Sequence, residues 1–227
     1  SGLAEGAGTS ISPDGVRTEG NWKRGKRDGE AISYWPDGRQ MLVVWRDDLP
    51  QGLAVMTWPC GKQLTGPLVD GRIGGTASLR FTDGRELQGQ FDRESLRGPG
   101  RLTWPDGRVY VGQITNERPH GQGSMHWPDQ TEYLGQFHEG LPHGDGRLRS
   151  PSGNLFIGRF ERGEPAGFGT LTLADGTSYA GDWFQAAIRG RGSMVWPDGR
   201  RYQGPIDGHT PKGEGSLHWP NGKSYEG

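Results

Sequence analysis

Glycine recurs every 23 residues through almost the whole chain. Ten glycines share this frame without an insertion or deletion: Gly6, Gly29, Gly52, Gly75, Gly98, Gly121, Gly144, Gly167, Gly190 and Gly213. Self-similarity at a fixed period is the signature of a repeat architecture, in which each unit packs on its neighbours. Without that period, 42 Gly and 16 Pro among 227 residues would suggest a disordered chain. Because a disordered chain has no reason to keep such a register, we expect a folded solenoid.

The residues between successive glycines predict a β-hairpin. In the repeat that starts at Gly98, apolar or glycine positions alternate with polar ones as far as Trp104, which is typical of a half-buried strand. The turn Pro105-Asp106-Gly107 follows, in which Pro sets φ, Asp bonds back to the backbone and Gly takes a positive φ. The alternation resumes at Tyr110 on the return strand. We expect residues 116–120 to form a short polar loop, stiffened by proline, to the next hairpin.

Stacking these hairpins predicts the fold. One hairpin is not stable alone, whereas stacked hairpins close each other's edges. The predicted fold is therefore all-β: an elongated, twisted, single antiparallel sheet of about ten stacked hairpins of 23 residues. Ten hairpins at about 4.8 Å per strand would extend roughly 90–100 Å. Glycines on the ring-bearing side leave room for Trp and Tyr rings to lie over the backbone, so we expect a core that is a ladder of aromatic rings.

The repeats fall into two groups within one register. We predict a disordered start left by cloning at residues 1–5 and one repeat array at 6–227, whose last repeat is incomplete. Repeats in 6–97 have aliphatic or small residues where those in 98–227 have rings, and Ala in place of the second Gly: Thr18, Met41, Leu64 and Leu87, with Ala31, Ala54 and Ala77. Gln130 replaces a turn glycine, so we expect that turn to be strained or of another type.

The frame Gly-x-Gly-x-Leu-x-Trp-Pro-Asp-Gly-x-x-Tyr-x-Gly-x-Phe-x-x-Gly resembles the MORN repeat (membrane occupation and recognition nexus). The resemblance covers essentially the whole chain and is closest over residues 98–114, 121–137, 167–183 and 190–206. It implies an elongated, twisted antiparallel sheet of hairpins with a groove on one face. It also implies roles in scaffolding, dimerisation, peptide binding in the groove and binding of anionic lipids. Such arrays occur in scaffolds and in larger enzymes, so the resemblance specifies the fold more sharply than the function.

Composition removes several classes of function. With 26 Lys and Arg against 27 Asp and Glu, the chain has no electrostatic footprint for nucleic acid. No apolar run is long enough to span a membrane, and no signal peptide is expected at the start. Cys60 is the one cysteine, which excludes an internal disulfide. The expected location is cytoplasmic or membrane-peripheral, with the bacterial periplasm left open in case a signal peptide has been removed.

No catalytic, cofactor or metal site is predicted. The aspartates recur once per repeat at the turn, so we interpret them as turn residues. No Ser-His-Asp order, Cys-His pair or phosphate-binding glycine loop stands out. His120 and His143 occupy one column in adjacent repeats, about 10 Å apart by two strand spacings, which is too far for two ligands of one zinc. We therefore expect a non-enzymatic chain without cofactors.

The aromatic ladder is the predicted binding surface. A single sheet has no second layer to cover one whole face, and exposed apolar surface usually marks an interaction site. We expect a protein or peptide partner to contact these rings: Trp104, Tyr110, Trp127, Tyr133, Phe156, Tyr179, Trp196 and Tyr202. A homodimer is expected as well, because the last strand would be an unprotected edge. The alternatives are a targeting or regulatory region of a larger enzyme, and a glycan-binding module.

Anionic lipid is the partner with the weaker support. The best basic cluster is Lys23, Arg24, Lys26 and Arg27, and Asp28 follows it directly. Membranes attract clusters of four to eight Lys and Arg residues, whereas elsewhere in this chain the signs of charge alternate. A solvated loop is therefore favoured over a lipid contact at these residues.

Overall fold

The computed structural model describes residues 2–184 and 186–227, without the side chain of Arg189, and all its regular elements there are β-strands. Ser1, in the predicted disordered start, lies outside the described residues, whereas Ala4 accepts a backbone hydrogen bond from Gly25. The chain divides into two compact units, residues 1–105 (the first unit) and 106–227 (the second unit). In the part of the chain that is described, no helix could cross a membrane.

The first unit is an antiparallel meander. Strands β1 to β6 and β9 to β11 pair in chain order, and β7 pairs with β8 in a separate two-stranded ribbon. The strands are β1 (Gly6–Ile11), β2 (Arg17–Lys23), β3 (Lys26–Tyr34), β4 (Gln40–Arg46), β5 (Leu49–Thr57), β6 (Gln63–Gly66), β7 (Leu68–Val69), β8 (Arg72–Ile73), β9 (Gly75–Arg80), β10 (Glu86–Asp92) and β11 (Ser95–Thr103).

The second unit repeats this arrangement. Each strand from β12 to β20 pairs with the next, β21 and β22 both pair with β20, and β23 pairs with β22. The strands are β12 (Val109–Thr115), β13 (Arg118–His126), β14 (Glu132–His138), β15 (Leu141–Arg149), β16 (Leu155–Glu161), β17 (Glu164–Thr172), β18 (Ser178–Phe184), β19 (Ala187–Val195), β20 (Arg201–Asp207), β21 (Thr210–Pro211), β22 (Ser216–His218) and β23 (Ser224–Glu226). The prediction of an all-β fold built from stacked antiparallel hairpins is confirmed in each unit.

The Pro-Asp-Gly turns have the predicted chemistry. At one of them the N–H of Gly199 donates to the carbonyl of Trp196 at 2.9 Å, and Oδ1 of Asp198 accepts from the N–H of Arg200 at 3.1 Å. The turns also pack on each other, since a Cβ added to Gly199 would lie 2.8 Å from Cγ of Pro220 in the next turn. Glycine at this position therefore supplies both the positive φ and the space for the neighbouring proline.

The connection from one hairpin to the next, here between β12 and β13, is tighter than the loop predicted at residues 116–120. Asn116 and Glu117 have φ values of 50° and 61°, which is the two-residue turn that matches the twist of β-strands. The following residues already belong to β13, where Pro119 pairs with Ile114 across a register shift. A bulge tolerates the missing N–H of proline, so the proline lies in the sheet and the expected loop of five residues is wrong.

The turn that contains Gln130 keeps the type of the others. The N–H of Gln130 donates to the carbonyl of Trp127 at 3.0 Å, as the turn glycines do elsewhere. Gln130 has a φ of 72°, a region that costs an L-residue with a side chain about 1–2 kcal/mol. Of the two outcomes expected from the sequence, the structure has the strained turn and not another turn type.

The sheet of the second unit has a closed inner face and an exposed outer face. On β14 the buried residues Tyr133, Gly135 and Phe137 point to the inner face, and the exposed Leu134 and His138 point to the outer face. The pairing aligns one inner-face row of rings and aliphatic residues: Tyr110, Met125, Tyr133, Leu148, Phe156, Leu171, Tyr179, Met194 and Tyr202. Beside it runs a band of paired glycines: Gly112, Gly123, Gly135, Gly146, Gly158, Gly169, Gly181, Gly192 and Gly204.

The rings lean over the glycine band. Tyr110 is fully buried, and its hydroxyl donates to the carbonyl of Gln113 at 2.6 Å. A Cβ added to Gly123 would lie 2.5 Å from Cζ of the same tyrosine. Burial raises the pKa of Tyr110 to about 12. The glycine band is therefore the surface on which the rings lie.

The rings also contact each other edge to face along the sheet. Centroid distances are 4.9 Å for Tyr110 and Phe137, 5.1 Å for Phe137 and Tyr133, and 4.8 Å for Tyr133 and Phe160. Phe156 continues the chain to Trp183 at 5.0 Å. Each such contact adds about 0.5–1.5 kcal/mol beyond the area buried. The predicted core of stacked aromatic rings is confirmed in the second unit.

The first unit fills the same two columns with different residues. Its row is Thr18, Ser33, Met41, Met56, Leu64, Leu79, Leu87 and Leu102. Its band contains Ala31, Val43, Ala54 and Ala77, all buried, among the remaining glycines. Where the row loses a ring, the band therefore gains methyl groups.

Candidate functional site

The structure separates the eight predicted partner-contacting rings into two groups. The Tyr and Phe rings are buried: Tyr110, Tyr133, Phe156, Tyr179 and Tyr202. The indoles of Trp104, Trp127 and Trp196 are half-buried. Alternation along the strands indicates the face on which each ring lies but not its tilt. In the structure the rings pack against the glycine band and are not accessible to a partner. Only the three indoles keep substantial surface for a partner.

The indoles lie beside the Pro-Asp-Gly turns, where charges surround them. The guanidinium of Arg200 lies 5.0 Å from the ring centroid of Trp196, and its Nε lies 2.7 Å from Oδ2 of Asp198. The backbone N–H of Arg200 and then its guanidinium hold the pKa of Asp198 below the ordinary range. The carboxylate is thus engaged within its own turn, as expected for a turn residue.

The outer face of the second unit carries an apolar row that sequence reasoning missed. The row crosses the strands through paired residues: Val111, Ser124, Leu134, Arg147, Ile157 and Thr170. Val111 is 42% exposed, and Leu134 and Ile157 are each 53% exposed. The three aliphatic residues are two strands apart, or about 9.6 Å. An aliphatic residue directly after the column ring in three consecutive repeats was the signal in the sequence.

Three exposed arginines lie in or beside this row. Arg147 lies within it, Arg149 lies two residues along β15, and Arg159 lies two residues along β16 from Ile157. Among the residues that the structure describes, none of the three arginines forms an ion pair. Arg147 and Arg149 line a cleft together with Leu134 and Glu132. The outer face here combines apolar surface with arginines that form no ion pair in the described part of the chain, although Glu132 and Asp145 are the cross-strand partners of Arg149 and Arg159.

The basic cluster proposed for lipid lies at the turn between β2 and β3. Lys23, Arg24 and Lys26 are exposed there. Arg27 is engaged instead, since its Nε lies 2.8 Å from Oδ1 of Asp48 and its guanidinium lies 3.6 Å from the ring centroid of Trp45. The structure thus brings the four cations to one hairpin end but leaves only three of them exposed.

His120 and His143, which share a column in the repeat, have a third histidine between them. His138, on β14, has its ring centroid 5.1 Å from that of His120 and 5.7 Å from that of His143. The sequence argument compared only the two column partners and missed the residue on the intervening strand. Among the described residues, no set of three or more His, Cys, Asp or Glu side chains is arranged to hold a metal ion as it stands.

Comparison with known proteins gives a family and distant similarities of fold. The sequence profile of the MORN repeat matches residues 19–38, 44–61, 88–107, 110–132, 133–155, 156–178, 179–200 and 208–224. No curated protein matches the sequence.

Solved structures with some likeness of fold include two peptide complexes. The SAS-4 (dCPAP) TCP domain with a proline-rich motif of Ana2 (dSTIL), from Drosophila melanogaster, is 13% identical with a TM-score of 0.46, and the match covers 67% of this chain and 83% of that one. The TCP10 domain of Danio rerio CPAP with a peptide of STIL is 18% identical with a TM-score of 0.41, and the match covers 97% of this chain and 98% of that one.

Proposed function

The chain belongs to the MORN repeat family, and we propose that it is a protein-interaction module whose second unit binds a segment of a partner protein on its outer face. The observation that carries this proposal is the exposed row of Val111, Leu134 and Ile157. Exposed apolar surface usually marks an interaction site, and these aliphatic side chains recur on every second strand of one face. The inner face is a poorer candidate, because its rings are used to close the core.

The spacing of the row describes the occupant. Val111 and Ile157 are four strands apart, about 19 Å, and Leu134 lies midway between them. A segment that crosses the strands would need an apolar side chain about every 9.6 Å to contact all three. A segment bound across the face in this way does not pair its main chain with an edge strand. Its side chains would therefore determine the specificity.

The arginines in and beside the row indicate the charge of the partner segment. Arg147, Arg149 and Arg159 are exposed and have no ion pair within the described residues. Arginine binds carboxylates with two parallel hydrogen bonds, which favours an acidic partner. We therefore propose a partner segment that carries both apolar residues and Asp or Glu.

A selection from a library of displayed peptides tests this function on the intact chain. Selected peptides should combine apolar residues with Asp or Glu. Their binding should fall at least tenfold in a variant with Leu134→Ser and Ile157→Ser, and similarly with Arg147→Glu and Arg149→Glu. The matched control, Gln203→Ser, changes the same row three repeats away from Leu134 and should bind normally. Peptides without acidic residues that bind both outer-face variants normally would contradict the proposal.

The tryptophan edge is the alternative surface. In the second unit this edge is formed by Trp127 and Trp196, the predicted partner indoles of that unit that remain accessible. Trp127→Ala separates the two surfaces, because it leaves the row of Leu134 and Ile157 unchanged. Loss of peptide binding in this variant, with normal binding by the outer-face variants, would move the site to the tryptophan edge.

Self-association and lipid binding remain predictions with other tests. A homodimer would give twice the mass of the chain in light scattering, and a monomer at all concentrations would exclude it. Binding of phosphatidic acid vesicles should fall on charge reversal at Arg24 and Lys26 if the basic cluster contacts lipid. Association with a catalytic domain in a longer chain is compatible with a binding role for these repeats.

A further inference from the structure

We propose that His120 and His138 bind one divalent transition-metal ion on the outer face of the second unit, with His143 as a third ligand. The site is independent of the proposed peptide-binding row. It is formed by neighbouring strands, since His120 lies on β13, His138 on β14 and His143 on β15.

The sheet places the first two imidazoles opposite each other. Gly121 pairs with Phe137, and His120 and His138 are the next residues outward on the two strands. Their ring centroids are 5.1 Å apart. With metal–nitrogen bonds of about 2.0–2.1 Å and tetrahedral angles, two imidazoles that share one metal have centroids about 5 Å apart. The two rings therefore already lie at the centroid separation that chelation requires.

The third imidazole needs a side-chain rotation to join the site. The His143 ring is 5.7 Å from that of His138, and no triad within the described residues is preformed for a metal. Two imidazoles with water in the remaining positions are the starting site, and rotation of His143 about its side-chain bonds would complete it. The contribution of His143 should thus be smaller than that of the other two.

The surroundings have charges of both signs. Glu139 and Asn116 line the same cleft as His120 and His138, and both offer oxygen atoms to metal-bound water. Arg118 also lines the cleft, and its charge opposes a bound cation. Imidazole donors select Cu²⁺, Ni²⁺ and Zn²⁺ over Mg²⁺ and Ca²⁺, and Cu²⁺ should bind most tightly.

Titration of the intact chain with Cu²⁺ or Zn²⁺ alone tests the site. Calorimetry should show one equivalent of metal, and the electron paramagnetic resonance spectrum of Cu²⁺ should show coupling to at least two nitrogens. Affinity should fall at least tenfold in His120→Ala and in His138→Ala, and less in His143→Ala. Acidification should release the metal, because protons compete for imidazole.

The controls separate this site from general binding to histidine. His218→Ala removes an exposed histidine on β22 and should leave the affinity unchanged. His138→Asn keeps a polar side chain on the strand, and circular dichroism confirms that each variant is folded. Binding by folded His138→Ala and His138→Asn with the affinity of the native chain would overturn the proposal, as would the absence of binding by the native chain.

Discussion

In the second unit the inner face carries Tyr and Phe rings over paired glycines, whereas in the first unit the same columns carry Met and Leu beside Ala and Val. Both units are antiparallel meanders with the same turns. The contrast shows that the two columns vary together: a large residue in the row requires glycine in the band, and a smaller residue in the row leaves space for a methyl group. Close packing of protein interiors is the physical reason.

The band therefore requires glycine because a side chain would collide with a ring, and not because the backbone needs a positive φ. Gly146 does not have a positive φ, so alanine would be acceptable to its backbone. A Cβ there would lie 2.5 Å from Cζ of Tyr133. In the first unit, the corresponding Ala77 is 5% exposed and Leu64 takes the position of Tyr133, so a methyl group is accommodated.

The outer faces of the two units differ as well. In the first unit Ile32, Leu42 and Val55 are direct cross-strand neighbours, and Glu19 and Glu30 line the cleft around Ile32. In the second unit the aliphatic residues alternate with polar residues and arginine. The two surfaces therefore differ in their charged side chains, which is why the acidic segment is proposed for the second unit.

The largest expected effect comes from filling the glycine band of the second unit. Gly146→Ala should lower the free energy of unfolding by about 3 kcal/mol, because the new methyl group overlaps the Tyr133 ring. Combining it with Tyr133→Leu, which copies the first unit, should cost at least ~1 kcal/mol less than the sum of the two single changes. Urea denaturation of the four proteins in this cycle measures the coupling.

Additivity of Gly146→Ala and Tyr133→Leu would contradict the interpretation that ring and glycine are a matched pair. Ala77→Gly is the matched control in the first unit, where Leu64 takes the position that Tyr133 has relative to Gly146. It removes a buried methyl group and should cost about 1 kcal/mol. A loss as large as that of Gly146→Ala would show that the two bands do not differ.

Alkaline pH should destabilise the second unit next most strongly. Burial raises the pKa of Tyr110 and of Tyr133 to about 12, above the value of about 10 in an unfolded chain. The unfolded state therefore loses these protons first, and the stability that they contribute below pH 10 is lost as pH rises toward 12. Thermal unfolding between pH 9 and 12 should show a smaller loss in a variant with Tyr110→Phe and Tyr133→Phe. An unchanged pH dependence in that variant would contradict the assignment.

The smallest expected effect is a gain in stability at one turn of the second unit. Gln130→Gly should raise the free energy of unfolding by about 1 kcal/mol, because glycine adopts the φ of 72° without strain. The reverse change at a normal turn, Gly107→Gln, should lower it by a similar amount. Equal stability of Gln130→Gly and the native chain would show that the turn is not strained.

Most of the fold could be predicted because the 23-residue period repeats the same kinds of local signal along the chain. The turn Pro-Asp-Gly, the alternation on both strands and the row of rings all depend on residues close together in the chain. The second turn could not be predicted in the same way, because Glu117 is an unusual residue for positive φ. The twist of the strands imposes that turn, and proline enters the sheet at the adjacent bulge.

The candidate site was less predictable. The sequence predicted that rings such as Tyr133 lie over glycines, but not that this ring is only 1% exposed and so closed to a partner. The sequence did not indicate that Leu134 and Ile157 form the exposed row, or that His138 lies between two histidines of adjacent repeats.

The sequence by itself determined the repeat, the hairpins and the alternation of faces, because these depend on backbone geometry within 23 residues. Only the tertiary structure decided which face is closed and which is available. Strand pairing brings residues such as Leu134 and Arg147 together across strands, and the tilt of a ring depends on the space left by glycines on neighbouring strands. The proposed binding surface depends on those contacts, so it can be recognised only when the strands are paired.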